Sequence, residues 1–490
     1  MTVDYRTRLI ECPKLIFIFL LQYFKEGHFE TMQENLKQEN KMGVMPIGRL
    51  LASMAWPAII SMTINALYNI VDSMFVAKIS EDALAAVTYV FPINMLIVAF
   101  GVGTGVGVNS LIARRLGAKN FEEANYAAEH GLRLALINWA LFAVFGAFFA
   151  KLFMSSYSDI PHIVNDGTAY MRITTIGSIF VMISMMTEKT LQARGNMILP
   201  MVSSLIGALT NIVLDPILIF GYFGMPKLGV TGAAAATVIG QFLSMCFCII
   251  VLFKIDNFYK IRIKGFKFSA KIIKDIYEVG MPGIVMQAIG SVMLLGFNAI
   301  LGEHTTAVAV LGVYFRLQSF IFMPVFGLNQ GSMPIMGYNY GAGNRERLMR
   351  TFKVAFTAAL VYMLFGFLLF QIFPKNLLDI FEASSQMKMI GISALRMISF
   401  CFIPASFGIM ATAIFQATAH GVFSLLSSFI RQLASLLPIA WVLMRTLGVQ
   451  YVWLAFPLAE IIGFIFSLIA LKYVYSRDIK NLHSITIAAV

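Results

Sequence analysis

From Pro46 onward the chain repeats one pattern twelve times: a run of about 20 or more predominantly apolar residues, the length a helix needs to cross a bilayer. The runs fall roughly at 51–77, 83–111, 131–153, 169–191, 199–222, 231–253, 276–301, 307–336, 352–373, 390–413, 422–444 and 451–473. They are too long and too evenly apolar for barrel strands. The polar groups needed to cover a water-facing surface are also missing: 13% of residues are charged, against about 25% in soluble domains. These features predict an all-α polytopic membrane protein and exclude a soluble enzyme or nucleic-acid binder, despite a net charge of +12.

That charge is distributed as a topology signal. If the chain starts in the cytoplasm, the inside loops hold twenty-one Lys and Arg residues and the outside loops six. The positive-inside rule then predicts both termini in the cytoplasm, and the expected location is the cell membrane. Residues 1–45 contain one apolar run, 15–24, too short to span, and read as a cytoplasmic extension. The cysteines have no metal-ligand or disulfide spacing, and no hydrolase or zinc-protease motif occurs, so no enzyme activity is expected.

The halves of the chain resemble each other. Residues 83–120 align without gaps on 307–344, an offset of 224 that pairs Gly103 with Gly327 and Gly107 with Gly331. The same segments end in Gly-Ala-Lys-Asn and Gly-Ala-Gly-Asn, and Gln192-Ala193 falls on Gln416-Ala417. Six spans per copy put both copies the same way up, which predicts two bundles related by a pseudo-two-fold along the membrane normal. The expected organisation is an N-lobe at 46–253, a basic cytoplasmic linker at 254–274, a C-lobe at 275–475 and a tail at 476–490. In such duplicated carriers the substrate binds between the lobes.

A few polar residues interrupt the spans. A carboxylate at mid-membrane costs about 2.5–3.5 kcal/mol, so it defaults to a functional role. Asn65, Asn69 and Asp72 form one stripe on the first span, and Asn211 and Asp215 are one helical turn apart on the fifth at a matching depth. Two close carboxylates share a proton or hold a cation, and hard oxygen ligands suit protons and sodium equally. Thr237 on the sixth span can join them. Arg431 and Glu460 lie at similar depth in the C-lobe and can pair. Gly101, Gly103, Gly105 and Gly107 read as a helix-packing stripe, because no strand precedes them.

The stretch Asn69-Ile70-Val71-Asp72-Ser73-Met74-Phe75-Val76, with Trp56-Pro57 before it, and the stretch Asn211 to Asp215-Pro216 resemble the multidrug and toxic compound extrusion (MATE) family over essentially 46–475. The resemblance implies a cation-coupled antiporter that expels amphipathic or cationic organic compounds in exchange for protons or sodium ions. It implies a coupling site at Asp72, Asn211 and Asp215, with Asn69 and Thr237 beside them, and a first-helix bend at Pro57. The seventh and tenth spans lack the additional acids of the NorM-like branch and offer Gln287 instead, so the pattern is nearer the DinF-like and MepA-like type. The expected partners are drugs and the lipid bilayer, without nucleic acid and without any cofactor beyond the coupling ion, the protein acting as a monomer. A flippase for a lipid or lipid-linked saccharide is the alternative, but it requires basic residues in mid-membrane, which are few here.

Overall fold

The computed structural model describes residues 40–255, 266–302, 304–381 and 383–482, apart from the side chains of 69, 70, 73 and 255. Most of the expected extension 1–45, the middle of the linker and the end of the tail lie outside the described residues. The chain divides into two units, Met1–Pro46 and Ile47–Val490. In the first, Asn40 caps the single turn Lys41–Val44 by accepting a hydrogen bond from the Met42 N–H at 3.1 Å.

The second unit is a helical bundle. Nine helices follow directly from the apolar runs: α1 (Ile47–Ala77), α2 (Glu81–Gly117), α3 (Phe121–Ser155), α4 (Pro161–Ala193), α5 (Ile198–Phe220), α6 (Val230–Ile250), α7 (Ala270–Leu301), α8 (Thr305–Gly341) and α9 (Arg345–Ile372). The tenth span is broken into α10 (Ser385–Ser399) and α11 (Phe402–Ala417), bent by 49°. Pro404 lies in the first turn of α11 and has no N–H for the carbonyl four residues back, so the helix breaks there. The eleventh span is α12 (Gly421–Phe429), a wide π-helical segment Ile430–Ser435, and α13 (Leu436–Thr446). Pro438 follows that segment, and its ring is incompatible with a regular helix at Ala434. α14 (Ala455–Val474) completes the set, so the described residues contain twelve spans if the bent pair counts as one.

Two boundaries differ from expectation. The sixth span continues as a π turn through Ile255, and α7 begins at Ala270, so the connection is shorter than 254–274. Lys254, Lys271 and Lys274 read as loop because of their charge, but they extend helices past the apolar layer. The end of this linker is fastened to the N-lobe. The Ser269 N–H donates to His130 Nε2 at 2.9 Å, the Phe266 ring lies 4.6 Å from the His130 ring, and the Arg133 guanidinium lies over the Phe266 ring, 3.5 Å from its centroid.

The turns of the two copies match in detail. Asn120 and Asn344 cap α3 and α9 through their side-chain oxygens, at 3.1 and 3.0 Å from the N–H of Glu123 and Arg347. The residue before each cap is left-handed, Lys119 at φ 57° and Gly343 at φ 70°. Gly195 (87°) and Ala419 (66°) form a second such pair, Gly224 (82°) and Gly448 (80°) a third, all at the 224-residue offset.

Packing repeats as well. In the N-lobe α4 is surrounded by α2, α3 and α6, and in the C-lobe α11 is surrounded by α8, α9 and α14. Between lobes the pairing is crossed: α1 lies on α8 and α7 lies on α2, whereas α1 barely touches α2. The expected glycine stripe makes these contacts. A Cβ on Gly103 would come within 2.5 Å of Ile284 Cγ1, and one on Gly327 within 2.6 Å of Ile59 Cγ1. At the basic-loop end, Gly117 lies against the Tyr338 carbonyl oxygen and Gly341 against the Arg114 carbonyl oxygen. Ser110 Oγ donates to the Gln416 carbonyl across the same seam. The lobes are thus closed upon each other toward the basic loops.

Candidate functional site

Five helices of the N-lobe converge on one polar cluster. α5 supplies Asn211 and Asp215, one turn apart on its buried face and 1% and 0% exposed. Asn211 Nδ2 donates to Asp215 Oδ1 at 3.2 Å and to Thr237 Oγ1 of α6 at 3.2 Å. From α1, the Asp72 carboxyl group interacts directly with that of Asp215. Two carboxyl groups held together in an apolar surround require a proton or another cation between them. Asp72 Oδ1, Asp215 Oδ2 and Asn211 Oδ1 are buried without a hydrogen-bond partner. Three such oxygens in one cluster, each costly to bury unsatisfied, form a donor set suited to a small hard cation.

The spacing argument therefore brings together Asp72, Asn211, Asp215 and Thr237. The side chain of Asn69 lies outside the described residues, and Asn65 is exposed. Three residues that the sequence did not single out belong to the same cluster. Tyr68 of α1 interacts with Thr237 and sits within the field of both carboxyls. Tyr170 of α4, 4% exposed, feels the same two carboxyls and its hydroxyl interacts with Asn94 of α2. The signal for Tyr68 was present, one turn before Asp72 on the same helix face. α1 runs as one helix through Pro57, and α5 through Pro216, whose missing N–H leaves the Ile212 carbonyl without its usual donor beside the cluster.

The C-lobe differs at every one of these positions. Trp56-Pro57 of α1 falls on Met281-Pro282 of α7 at an offset of 225, which places Asp72 opposite the buried Phe297, and at the 224-residue offset Asp215 corresponds to Ile439. Gln287 is exposed on α7. Arg431 and Glu460 do pair, Nη1 to Oε1 at 3.5 Å, with side chains 19% and 15% exposed. Arg431 stands in the π segment of the eleventh span. Gly463 of α14 makes room for its stem, since a Cβ there would lie 3.1 Å from Arg431 Cβ.

Deeper toward the basic loops, Lys189 of α4 is buried and reaches across the lobe boundary. Its Nζ donates to Gln192 Oε1 and to Gln330 Oε1 of α8, both at 3.0 Å. Its neighbour Glu188 is reached by Ser184 Oγ at 3.4 Å. Lys189 is one of the twenty-one basic residues that the sequence assigns to the inside loops, but the fold turns it inward.

Comparison with known proteins agrees with this architecture. The MatE family model matches twice, over residues 57–217 and 282–442. The multidrug export protein MepA of Staphylococcus haemolyticus is 26% identical over 422 residues, covering 86% of this chain and 91% of its own. An FAD transporter of Shewanella oneidensis is 25% identical over 441 residues, 87% of this chain and 95% of its own. Among solved structures, the outward-facing conformation of a multidrug resistance MATE family transporter superimposes with a TM-score of 0.82 at 28% identity, covering 90% of this chain and 99% of that one. A MOP superfamily transporter from Pyrococcus furiosus gives 0.81 at 27% identity, covering 89% and 98%. With both halves matched by the family model, at positions that bracket the Asp72/Asp215 cluster, the chain belongs to the MatE family of multi-pass membrane transporters.

Proposed function

We propose that this protein exports amphipathic or cationic organic compounds in exchange for a proton or a sodium ion bound at Asp72, Asn211 and Asp215. The observation that carries the reading is the N-lobe cluster itself: two interacting carboxyls and three buried, unsatisfied oxygens inside a lipid-embedded bundle. Likeness to a multidrug export protein supports the substrate class. Likeness to an FAD transporter raises an anionic cargo as a second reading. The ion pair of Arg431 with Glu460 weighs against it, because the cation that could meet an anion in the eleventh span is already neutralised.

The positive-inside signal orients the basic loops, and with them both termini, toward the cytoplasm of the cell membrane. On that orientation the lobe contacts close the cytoplasmic side, and export requires exchange with a state closed at the opposite side. The cation does work only through its differential affinity for the two states, and each tenfold ratio contributes about 1.4 kcal/mol to the shift. A membrane potential adds about 2.3 kcal/mol per charge moved per 100 mV. The six-helix lobes enclose the cluster within one chain, so a monomer is the proposed working unit.

Dye efflux from proteoliposomes under an imposed pH gradient, then under a sodium gradient, identifies the ion. Asp72→Asn and Asp215→Asn are each expected to lower gradient-driven efflux at least about tenfold. Wild-type rates in both variants, at equal protein incorporation, would sink the assignment.

A further inference from the structure

At the basic-loop end of the C-lobe, α9 and α14 stand on either side of α11 and leave a groove of about 1220 Å³ between them. Four basic side chains converge on it: Arg345, Arg350 and Lys353 from the first turns of α9, and Lys472 from the last turn of α14. Glu346 is the sole acid in the lining. Arg345 is engaged, donating to the Lys480 carbonyl at 3.3 Å with its guanidinium 5.6 Å from the Tyr475 ring. Arg350, Lys353 and Lys472 form no ion pair with any described residue.

The floor has the opposite character. Leu468 and Leu471 line it, and Leu468 is 42% exposed. The apolar surface continues along both helices away from the basic end, through Val361 and Phe365 on α9 and Ile461 and Ile465 on α14, all exposed. The groove therefore has a cationic mouth at the membrane boundary and an apolar track leading into the lipid-facing surface. Topology alone does not require this convergence. At the 224-residue offset the N-lobe has Tyr126, Glu129 and Cys248 where the C-lobe has Arg350, Lys353 and Lys472. The basic mouth is thus a property of one copy and not of the packing that both copies share.

We propose that the groove binds one anionic phospholipid of the leaflet facing the basic loops. The phosphate is held by Arg350, Lys353 and Lys472, and an acyl chain lies along Leu468 and Leu471. Basic pockets between spanning helices recognise anionic head groups by the same charge complementarity. A free phosphate would use the mouth but gain nothing from the floor.

The test uses the full-length protein in vesicles of mixed phosphatidylcholine and phosphatidylglycerol, with retained lipid read by native mass spectrometry. Wild type is expected to keep one phosphatidylglycerol in preference to phosphatidylcholine. The triple variant Arg350→Gln, Lys353→Gln, Lys472→Gln is expected to lose that preference at least about tenfold, while Lys151→Gln with Lys375→Gln keeps it. Equal retention of the two lipids by wild type overturns the proposal, and that reading needs no variant to fold. Undiminished preference in the triple variant also overturns it. So does displacement of the lipid by inorganic phosphate at matched concentration, which would show that the floor contributes nothing.

Discussion

Asp215 and Asp72 were legible in the sequence because membrane depth makes a carboxylate expensive, and helix spacing alone puts Asn211 one turn from Asp215. Thr237 followed from depth on the neighbouring span. Tyr170 and Asn94 did not, because a tyrosine or an amide inside an apolar run has many ordinary uses and its convergence with three other helices is not encoded in local spacing. Removing the Tyr170 hydroxyl tests its place in the cluster. Tyr170→Phe is expected to lower stability by about 1 kcal/mol, the net value of one hydrogen bond, and to shift the cation concentration at half-maximal efflux severalfold while leaving the maximal rate nearly intact. Thermal unfolding in detergent and efflux titrations read the two effects separately. In the C-lobe, Arg431→Met alone leaves the partly buried Glu460 without its partner and should destabilise by about 1–3 kcal/mol. Arg431→Met combined with Glu460→Met should recover much of that loss. If the double variant melts below the single one, the ion pair is not what balances the buried charges.

Among the described residues the spans were read correctly as helices, since twenty apolar residues in lipid have few alternatives to an α-helix. Helix interruption was not. The break between α10 and α11 and the π segment before α13 each lie just upstream of a proline, a signal present in the sequence at Pro404 and Pro438 but masked by continuous hydrophobicity. The turns provide a sharper test of the duplication. Ala419 adopts the left-handed conformation that its counterpart Gly195 adopts without a Cβ, and Lys119 does the same opposite Gly343. A left-handed Cβ costs about 1–2 kcal/mol, partly offset by the flexibility glycine brings to the unfolded chain. Ala419→Gly is therefore expected to stabilise by up to about 1 kcal/mol, and Gly195→Ala to destabilise by at least as much. Opposite signs in thermal unfolding support the shared turn geometry, and equal signs refute it.

The repeat made two lobes legible, but not how they dock. Sequential helices usually pack together, yet α1 and α7 leave their neighbours to lie on the opposite lobe. Nothing in the repeat register states this crossing, because both copies carry the same pattern and either docking satisfies it. Lys189 is one charged tie across the closed seam, and the Arg115–Asp275 ion pair between α2 and α7, at 3.4 Å, is another. A hydrogen bond to a charged group is worth about 1.5–3 kcal/mol, so Lys189→Met should raise the population opened at the basic end about tenfold or more. Spin labels at positions 119 and 343, one on each lobe beside the crossing, report that population as a longer distance. An unchanged distance distribution under conditions where wild type cycles would remove Lys189 from this role.

The crossing of Gly117 over the Tyr338 carbonyl and Gly341 over the Arg114 carbonyl also has a bearing on descent. Each copy of the repeat is the mould in which the other is cast, so a side chain gained at either glycine would be rejected by a surface that had not itself changed. An ancestral six-helix chain with this glycine would have met a second copy of itself through the same contact, before fusion joined the two. After fusion the crossing held both copies to one shape, while positions away from it were free to specialise. Asp72 opposite Phe297 and Asp215 opposite Ile439 are the record of that freedom: one copy carries acids where the other carries hydrocarbon.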